Sequence, residues 1–315
     1  MKRRQPPSNG TIFLLLGFSD LSLAAQTSLY VFLLLSYLFS VIGNGLIMLV
    51  VTFSPRLQSP MYFFLTVLSF TEILSISSTV PKALQGFLNA GRTISFIGCA
   101  TQFSVFIAAV TCECILLTLM AYDRYMAICQ PLRYTSVMTV SVCWKLTMFC
   151  LIVSFGSAFI DTSVFFSLPF CDSILIAHFF CDAFPIISLT CGNTFFIEVY
   201  QLIASAIVIM FTSILIICSY IRILTSIFLL RSAESRHKAF STCGSHLVSV
   251  IIFFGSAMFV HFQLGNPLSS YNDRMLALSY SVIIPTINPL IYSLKNNEMK
   301  EAIRKLNLKF VALHM

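Results

Sequence analysis

Charge is scarce in this sequence: Asp, Glu, Lys and Arg together make up 10% of its 315 residues, against roughly 25% in ordinary soluble domains. Tryptophan is down to one residue, while 31 phenylalanines help bring the hydrophobic fraction to 57% and the mean hydropathy to +0.90. No soluble domain of this length has enough interior to hide that much apolar surface. Disorder needs a polar chain, collagen a glycine-rich one, a coiled coil sustained heptads and a small disulfide scaffold dense cysteine. None of these fits, and an integral membrane protein remains. The formal charge of +7 comes from basic residues placed singly or in small groups between apolar runs. Nucleic-acid binding calls for Lys/Arg blocks with interleaved aromatics, so anionic membrane lipids are the expected partner of these cations and nucleic acid is not.

A helix needs about 20 mostly apolar residues to cross the hydrocarbon. Seven stretches qualify, at roughly 27–52, 61–83, 96–122, 142–164, 197–221, 239–262 and 275–294. They are too long and too continuously apolar for barrel strands of about 9–11 alternating residues. The fourth carries Lys145 and Asp161 in its flanks and is the weakest. Beyond the seventh, Met299, Ile303, Leu306 and Phe310 recur at helical spacing, with Lys300, Arg304, Lys305 and Lys309 largely off that face. That pattern predicts a short helix on the inner membrane surface. The expected fold is an all-α membrane protein, a seven-transmembrane helix bundle with a short amphipathic C-terminal helix. An N-terminal tail would occupy 1–26, the bundle 27–294 and a cytoplasmic tail 295–315.

Lys and Arg set the orientation. With the N-terminus outside, one side holds Arg56, Arg124, Arg133, Lys145, Arg222, Arg231, Arg236, Lys238, Lys295, Lys300, Arg304, Lys305 and Lys309. The other holds Lys2, Arg3, Arg4, Lys82, Arg92 and Arg274. The richer side is expected to be cytoplasmic, in a multi-pass plasma-membrane protein. Asn9-Gly10-Thr11 then becomes a usable glycosylation sequon at Asn9. Lys2 to Arg4 followed by Ile12 to Leu16 imitates a signal peptide, but the apolar run is short and no small-residue cleavage pattern follows, so an uncleaved tail is expected. Four cysteines, Cys99, Cys171, Cys181 and Cys191, fall on the oxidising side and can pair completely, in any of three connectivities. The loop at about 165–196 is long and apolar, with Phe165, Phe166, Phe179 and Phe180, and reads as a folded lid or as a flexible loop tied down by cystines.

Polar groups inside spans are the best pointers to function in a membrane protein, because an acid at mid-bilayer costs about 2.5–3.5 kcal/mol on insertion scales. Asn44, Glu72, Glu113 and Asn288 lie in different spans at comparable depth. They can gather into one polar core, either a proton or sodium site or a hydrogen-bond network holding the bundle.

The third span ends in Met120-Ala-Tyr-Asp-Arg-Tyr-Met-Ala-Ile-Cys129. Five more strings follow in register: Gly43-Asn44, Pro60-Met-Tyr-Phe-Phe-Leu65, Ser219-Tyr220, Lys238-Ala-Phe-Ser-Thr-Cys-Gly-Ser-His-Leu247 and Pro285-Thr-Ile-Asn-Pro-Leu-Ile-Tyr-Ser-Leu294. Together with the four-cysteine loop, this set resembles the olfactory receptors, within the rhodopsin-like G-protein-coupled receptors, along almost the whole chain.

The resemblance implies Cys99–Cys181 and Cys171–Cys191 bridges. It implies that Arg124 is held by Asp123 at rest, beside Tyr125, and meets Tyr220 and a G protein once released. Asn288, Pro289 and Tyr292 would form the movable part of the seventh helix, with Pro289 removing a backbone donor. Four positions depart from the family's pattern: Gln58 stands where His is usual, Glu72 replaces Asp, Phe254 stands where Tyr is common, and helix six lacks the Trp-containing switch of other rhodopsin-like receptors. Its Lys238 is basic, so no acidic lock to Arg124 is available from that position.

The resemblance also implies a ligand site in the outer half of the bundle. Helix three would supply Phe106, Ile107, Val110 and Thr111; helix five Gln201, Ala204, Ser205 and Val208; helix six Phe254, Ala257, Met258 and His261; helix seven Leu278 and Ser281. Such a lining suits a small, volatile, weakly polar odorant. No cationic amine is favoured, because Phe106 stands where amine receptors place an Asp. A transporter should show internal repeats and broken helices. An intramembrane enzyme should show a nucleophile–base or metal-ligand pattern around its acids. Neither is present, and His178 beside a bridged Cys181 makes a poor metal site. The expectation is an odorant receptor, with no catalytic residues, metal or cofactor, that activates a stimulatory olfactory-type G protein and raises cyclic AMP.

Overall fold

Backbone polar groups inside hydrocarbon must bond to one another, so each span closes into a helix. The computed structural model describes residues 12–88, 91–171, 174–229, 232–261, 270–295 and 298–305. Lys2, Arg3, Arg4, Asn9, Arg231, Leu306, Lys309 and Phe310 lie outside the described residues, as do the side chains of Lys238, His261 and Lys295. Leu23–Phe53, Pro60–Phe87, Phe96–Cys129, Val140–Phe166, Phe195–Phe228 and Tyr271–Ser293 are long and apolar enough to cross a membrane. The sixth helix in chain order, Ala233–His261, carries the shorter apolar stretch Cys243–Met258. The expected spans fall on these seven helices, and most helices overrun them because helix continues past the hydrocarbon where charged residues begin. The third runs to Cys129, followed by the short helix Pro131–Val137. Ser22, Ser95 and Thr139 cap the first, third and fourth by accepting from Ala25, Gly98 and Val142 N–H.

Burial is arranged for lipid rather than water. In the first span the buried face includes Ser36, Ser40 and Asn44, while Leu35, Ile42 and Leu49 face outward. The third helix is the hub, packed on the second, fourth and fifth.

At one end, part of the expected tail of 1–26 carries regular structure. Ile12–Leu15 is a strand, β1, central in a sheet with antiparallel β2 (Thr93–Ser95) and parallel β3 (Leu175–Ile176). The run that imitates a signal peptide is therefore a strand that buries Phe13 and Leu15 on one face. Phe13 and Leu15 join Phe103, Phe165, Phe166 and Phe170 in an apolar cluster roofing the bundle. The Cys99–Cys181 and Cys171–Cys191 bridges are both present. Gln102 couples the first of them to helix two, donating to Ser78 O at 2.7 Å and accepting from Cys181 N–H at 2.9 Å. The loop is thus a folded lid, with the N-terminal strand as part of it.

Arg274, fully buried at the start of the seventh span, clasps that strand. Its guanidinium donates to both oxygens of Asp20, one at 2.8 Å, and to the carbonyl of Gly17. Gly17 turns the chain with φ +58°, a conformation costly to other residues. The guanidinium holds the Asp20 carboxyl below the usual carboxylate range. Asp20→Ala leaves that cation without its carboxylate, and a loss of about 1–2 kcal/mol is expected after allowing for the exposure of Asp20. Hydrogen–deuterium exchange reads it as lost protection of the Leu14, Leu15 and Leu16 amides; unchanged protection would show that the sheet holds without the clasp.

At the opposite end residues 298–305 form the amphipathic helix expected from the spacing. Met299 is buried and Lys300, Arg304 and Lys305 are exposed. Tyr62 donates to Glu298 at 2.7 Å, and Glu301 pairs with Arg56 at 3.2 Å and Lys305 at 2.6 Å.

Candidate ligand cavity and cytoplasmic switch

Under the lid lies a cavity of about 280 Å³ walled by the third to seventh spans and the loop. Helix three lines it with Phe106, Ile107, Val110 and Thr111, helix five with Gln201, Ala204, Ser205 and Val208, and helix six with Ala257, all residues that the sequence analysis names for a ligand site. Phe254, Met258, Leu278 and Ser281 do not line it. On helix six the lining residues are Phe253, Ser256 and Ala257. Phe254 and Met258 belong to the main core without reaching the cavity, and the lining face is turned by one residue, about 100°. On helix seven, Ser279–Ile283 is a π-helical turn. The wider turn re-phases the face, so that Tyr280 and Ile284 reach the cavity while Leu278 and Ser281 are buried elsewhere. The missing Tyr hydroxyl at 254 therefore falls outside the cavity floor.

The fourth span adds a wall that sequence reasoning missed: Ser157, Ile160 and Asp161. The signal was there, since a charge inside an apolar span marks function by default. Tyr200 donates to Asp161 at 2.6 Å, joining helices four and five. Tyr280 donates to Asp182 at 2.7 Å, joining helix seven to the lid. Asp182 also accepts from Ala183 N–H at 2.8 Å. Nearby, His178 stacks on Phe179 at 4.7 Å between centroids, and burial pushes its pKa down to about 4, which keeps the ring neutral.

Deeper in the bundle, Asn288 donates to Glu72 and accepts from Ser249 at 2.8 Å. Pro289 has no N–H for the carbonyl of Pro285 one turn back. Ser40 Oγ at 2.9 Å and Asn44 Nδ2 at 3.4 Å supply donors to it instead. This pairing needs close contact between first and seventh helices, and Gly43 provides it: a Cβ there would stand 2.8 Å from Pro289 Cβ. One carboxylate oxygen of Glu113 is buried without a hydrogen-bond partner among the described residues. Asn44, Glu72, Glu113 and Asn288 are all buried.

At the end of the bundle away from the lid, Asp123 accepts from Tyr134 at 2.8 Å, on the short helix after the third span. Among the described residues the ion pairs within 4.0 Å do not include Asp123–Arg124. The Asp123 hydrogen bond is thus to Tyr134 rather than to the neighbouring arginine, whose Nε is buried without a hydrogen-bond partner. Tyr125 is half-buried against the core, and Tyr292 is buried.

His246 occupies the middle of this region and was not singled out in the sequence. Its Nε2 lies 3.0 Å from Leu117 O and its Nδ1 2.7 Å from Tyr220 Oη. A carbonyl can only accept, so Nε2 carries the proton, Nδ1 accepts and Tyr220 donates. One buried ring thereby ties helices three, five and six together. Gln58, in the place of the family's His, donates to Val51 O at 2.9 Å.

Comparison with known proteins follows the same pattern. A family model described as "Olfactory receptor" matches residues 33–309. Olfactory receptor 10A5 of Homo sapiens is 43% identical over 301 residues, covering 96% of this chain and 95% of that one. Olfactory receptor 6N1 of Homo sapiens is 42% identical over 293 residues, covering 93% and 94%. Olfactory receptor 5P4 of Mus musculus is 43% identical over 296 residues, covering 94% and 95%.

Proposed function

The chain belongs to the olfactory receptor family, a family of multi-pass membrane receptors rather than enzymes, and from that premise we propose how it signals. A small odorant binds in the cavity under the lid and shifts the bundle toward a state that activates a stimulatory olfactory-type G protein and raises cyclic AMP. The observation that carries this reading is the cavity itself: it lies under the disulfide-tied lid, and its surface is mostly apolar, with Phe106, Val110, Ala204, Val208 and Ala257 set among polar side chains. It has the size and apolar character of a site for a small ligand. The protein sits in the plasma membrane with the lid and Asn9 outside, Asn9 glycosylated, and residues 298–305 on cytoplasmic lipid. The Lys and Arg distribution supports that orientation.

Efficacy rests on the difference in ligand affinity between two states, not on tightness. Helix six is the moving element, opening a cytoplasmic cleft where Arg124, Tyr125, Tyr220 and Lys238 meet the G protein. Asn288, Pro289 and Tyr292 relay the change along helix seven, and Glu72 and Glu113 hold the polar core between the two ends. In this reading the bonds of His246 to Leu117 O and Tyr220 hold the resting state in place of an acidic lock. His246→Phe removes both. At about 1–2 kcal/mol lost from the resting side, the active fraction rises roughly 5- to 30-fold. Basal cyclic AMP at matched surface density measures it, and an unchanged or lower baseline would remove His246 from the lock.

The receptor reading is tested by agonist-dependent nucleotide exchange on the G protein, using an odorant panel on cells with confirmed surface display. Response to some odorants and not others is expected. A well-displayed receptor that drives no exchange with any of them would refute the proposal.

A further inference from the structure

A hydroxyl has one proton to give. Tyr200 gives its proton to Asp161, and Tyr280 gives its own to Asp182. Ser205 and Ser256, also in the cavity wall, donate to the backbone carbonyls of Gln201 and Phe253 at 2.8 Å each. What these groups can still offer a ligand is lone pairs. Tyr200 is the one hydrogen-bond partner of Asp161 in the described structure, and a carboxylate has about four acceptor sites. Among the described lining residues there are two carboxylates and no Lys, Arg or His to offset them. Thr111 and the Gln201 amide are neutral groups in the same wall, and a hydrogen bond to a charged group is about twice as strong as one between neutral groups.

Resting on the receptor reading above, we propose that this cavity selects ligands that donate a hydrogen bond: small apolar molecules bearing a hydroxyl or amino group, anchored on the free oxygen of Asp161. Phe106 denies an acidic anchor on helix three, and the neighbouring fourth span supplies it. Aldehydes and ketones, which only accept, have the neutral Thr111 hydroxyl and Gln201 amide to bond to, and those bonds are weaker than one to a carboxylate. Carboxylic acids, ionised at neutral pH, meet the carboxyl groups of Asp161 and Asp182 with no cation among the described lining residues, and are excluded. The apolar remainder of the lining holds the carbon skeleton, so Asp161 sets the functional group and helices three and five set the shape.

The experiment uses purified full-length receptor and three carbon skeletons, hexyl, cyclohexyl and benzyl, each as alcohol, amine, aldehyde and acid. Affinity is read from ligand-dependent shifts in melting temperature at pH 7. In each skeleton that binds, the alcohol or amine is expected to bind about 10-fold tighter than the aldehyde, and the acid not at all. Asp161→Asn, which adds an N–H donor and removes the charge, collapses this preference and improves the aldehyde. Tyr200→Phe, which keeps the carboxylate, retains the preference. An aldehyde or acid that matches the alcohol, a preference that survives Asp161→Asn, or no binding by any alcohol or amine would each overturn the proposal. The wild-type ranking needs no variant, so a folding defect in Asp161→Asn leaves the test standing. The same compounds in the nucleotide-exchange assay separate the two readings: alcohols that bind without driving exchange keep the ligand class and remove the receptor mechanism.

Discussion

Arg124→Ala is expected to abolish agonist-driven nucleotide exchange while the protein still reaches the cell surface. Arg124 lies near the C-terminal end of helix three, half-buried, with its Nε without a hydrogen-bond partner among the described residues. Asp123 is engaged by Tyr134, so the guanidinium is not committed to its neighbour. A group in that position is available to meet a partner's carbonyls or carboxylates once helix six moves. Hydrogen bonds involving a charged group contribute about 1.5–3 kcal/mol each. Losing two amounts to at least roughly 100-fold in coupling at 1.4 kcal/mol per factor of ten. Structure is little affected, because no described ion pair is broken. Surface staining and exchange on the same cells make the measurement, and a displayed mutant that signals normally would remove Arg124 from the coupling site.

Cys99→Ala is expected to abolish display itself. The bridge to Cys181 spans 82 residues of sequence and pins the lid to helix three. Removing a native disulfide costs about 2–5 kcal/mol, out of a total stability of about 5–15 kcal/mol. The Cys171–Cys191 bridge spans only 20 residues, and on a chain-entropy account it stabilises by about 1 kcal/mol less. Cys171→Ala should therefore leave a larger displayed fraction than Cys99→Ala. Quantitative surface labelling of both variants against total protein tests the order. Wild-type display of Cys99→Ala would show that the sheet and the Phe cluster hold the lid unaided.

The spans were legible because hydrocarbon imposes one requirement along a whole run such as 27–52, which holds no charged residue, and composition alone reports it. The helix three face was legible for a related reason. Phe106, Ile107, Val110 and Thr111 lie on an unbroken helix, where spacing converts directly into direction. Helix seven shows the limit of that conversion. Spacing chose Leu278 and Ser281, and the π turn at Ser279–Ile283 brought Tyr280 and Ile284 to the cavity.

Partners distant in sequence were hidden altogether. The Asp161–Tyr200 and Asp182–Tyr280 bonds join residues 39 and 98 positions apart. Arg274 finds Asp20 at a separation of 254. Asp161 stands out as a charge in an apolar run, but nothing local announces its partner or the partners of the others.

Membrane insertion, the seven helices and the family were therefore determined by the sequence itself, since hydropathy and short motifs are properties of contiguous residues. The tertiary structure alone decided that the N-terminal residues form a strand of the lid, that His246 joins three helices, and that the cavity's tyrosines turn their protons onto its acids. The physical reason is that a hydrogen-bonding group declares only that it needs a partner, and packing selects which one comes within 3 Å.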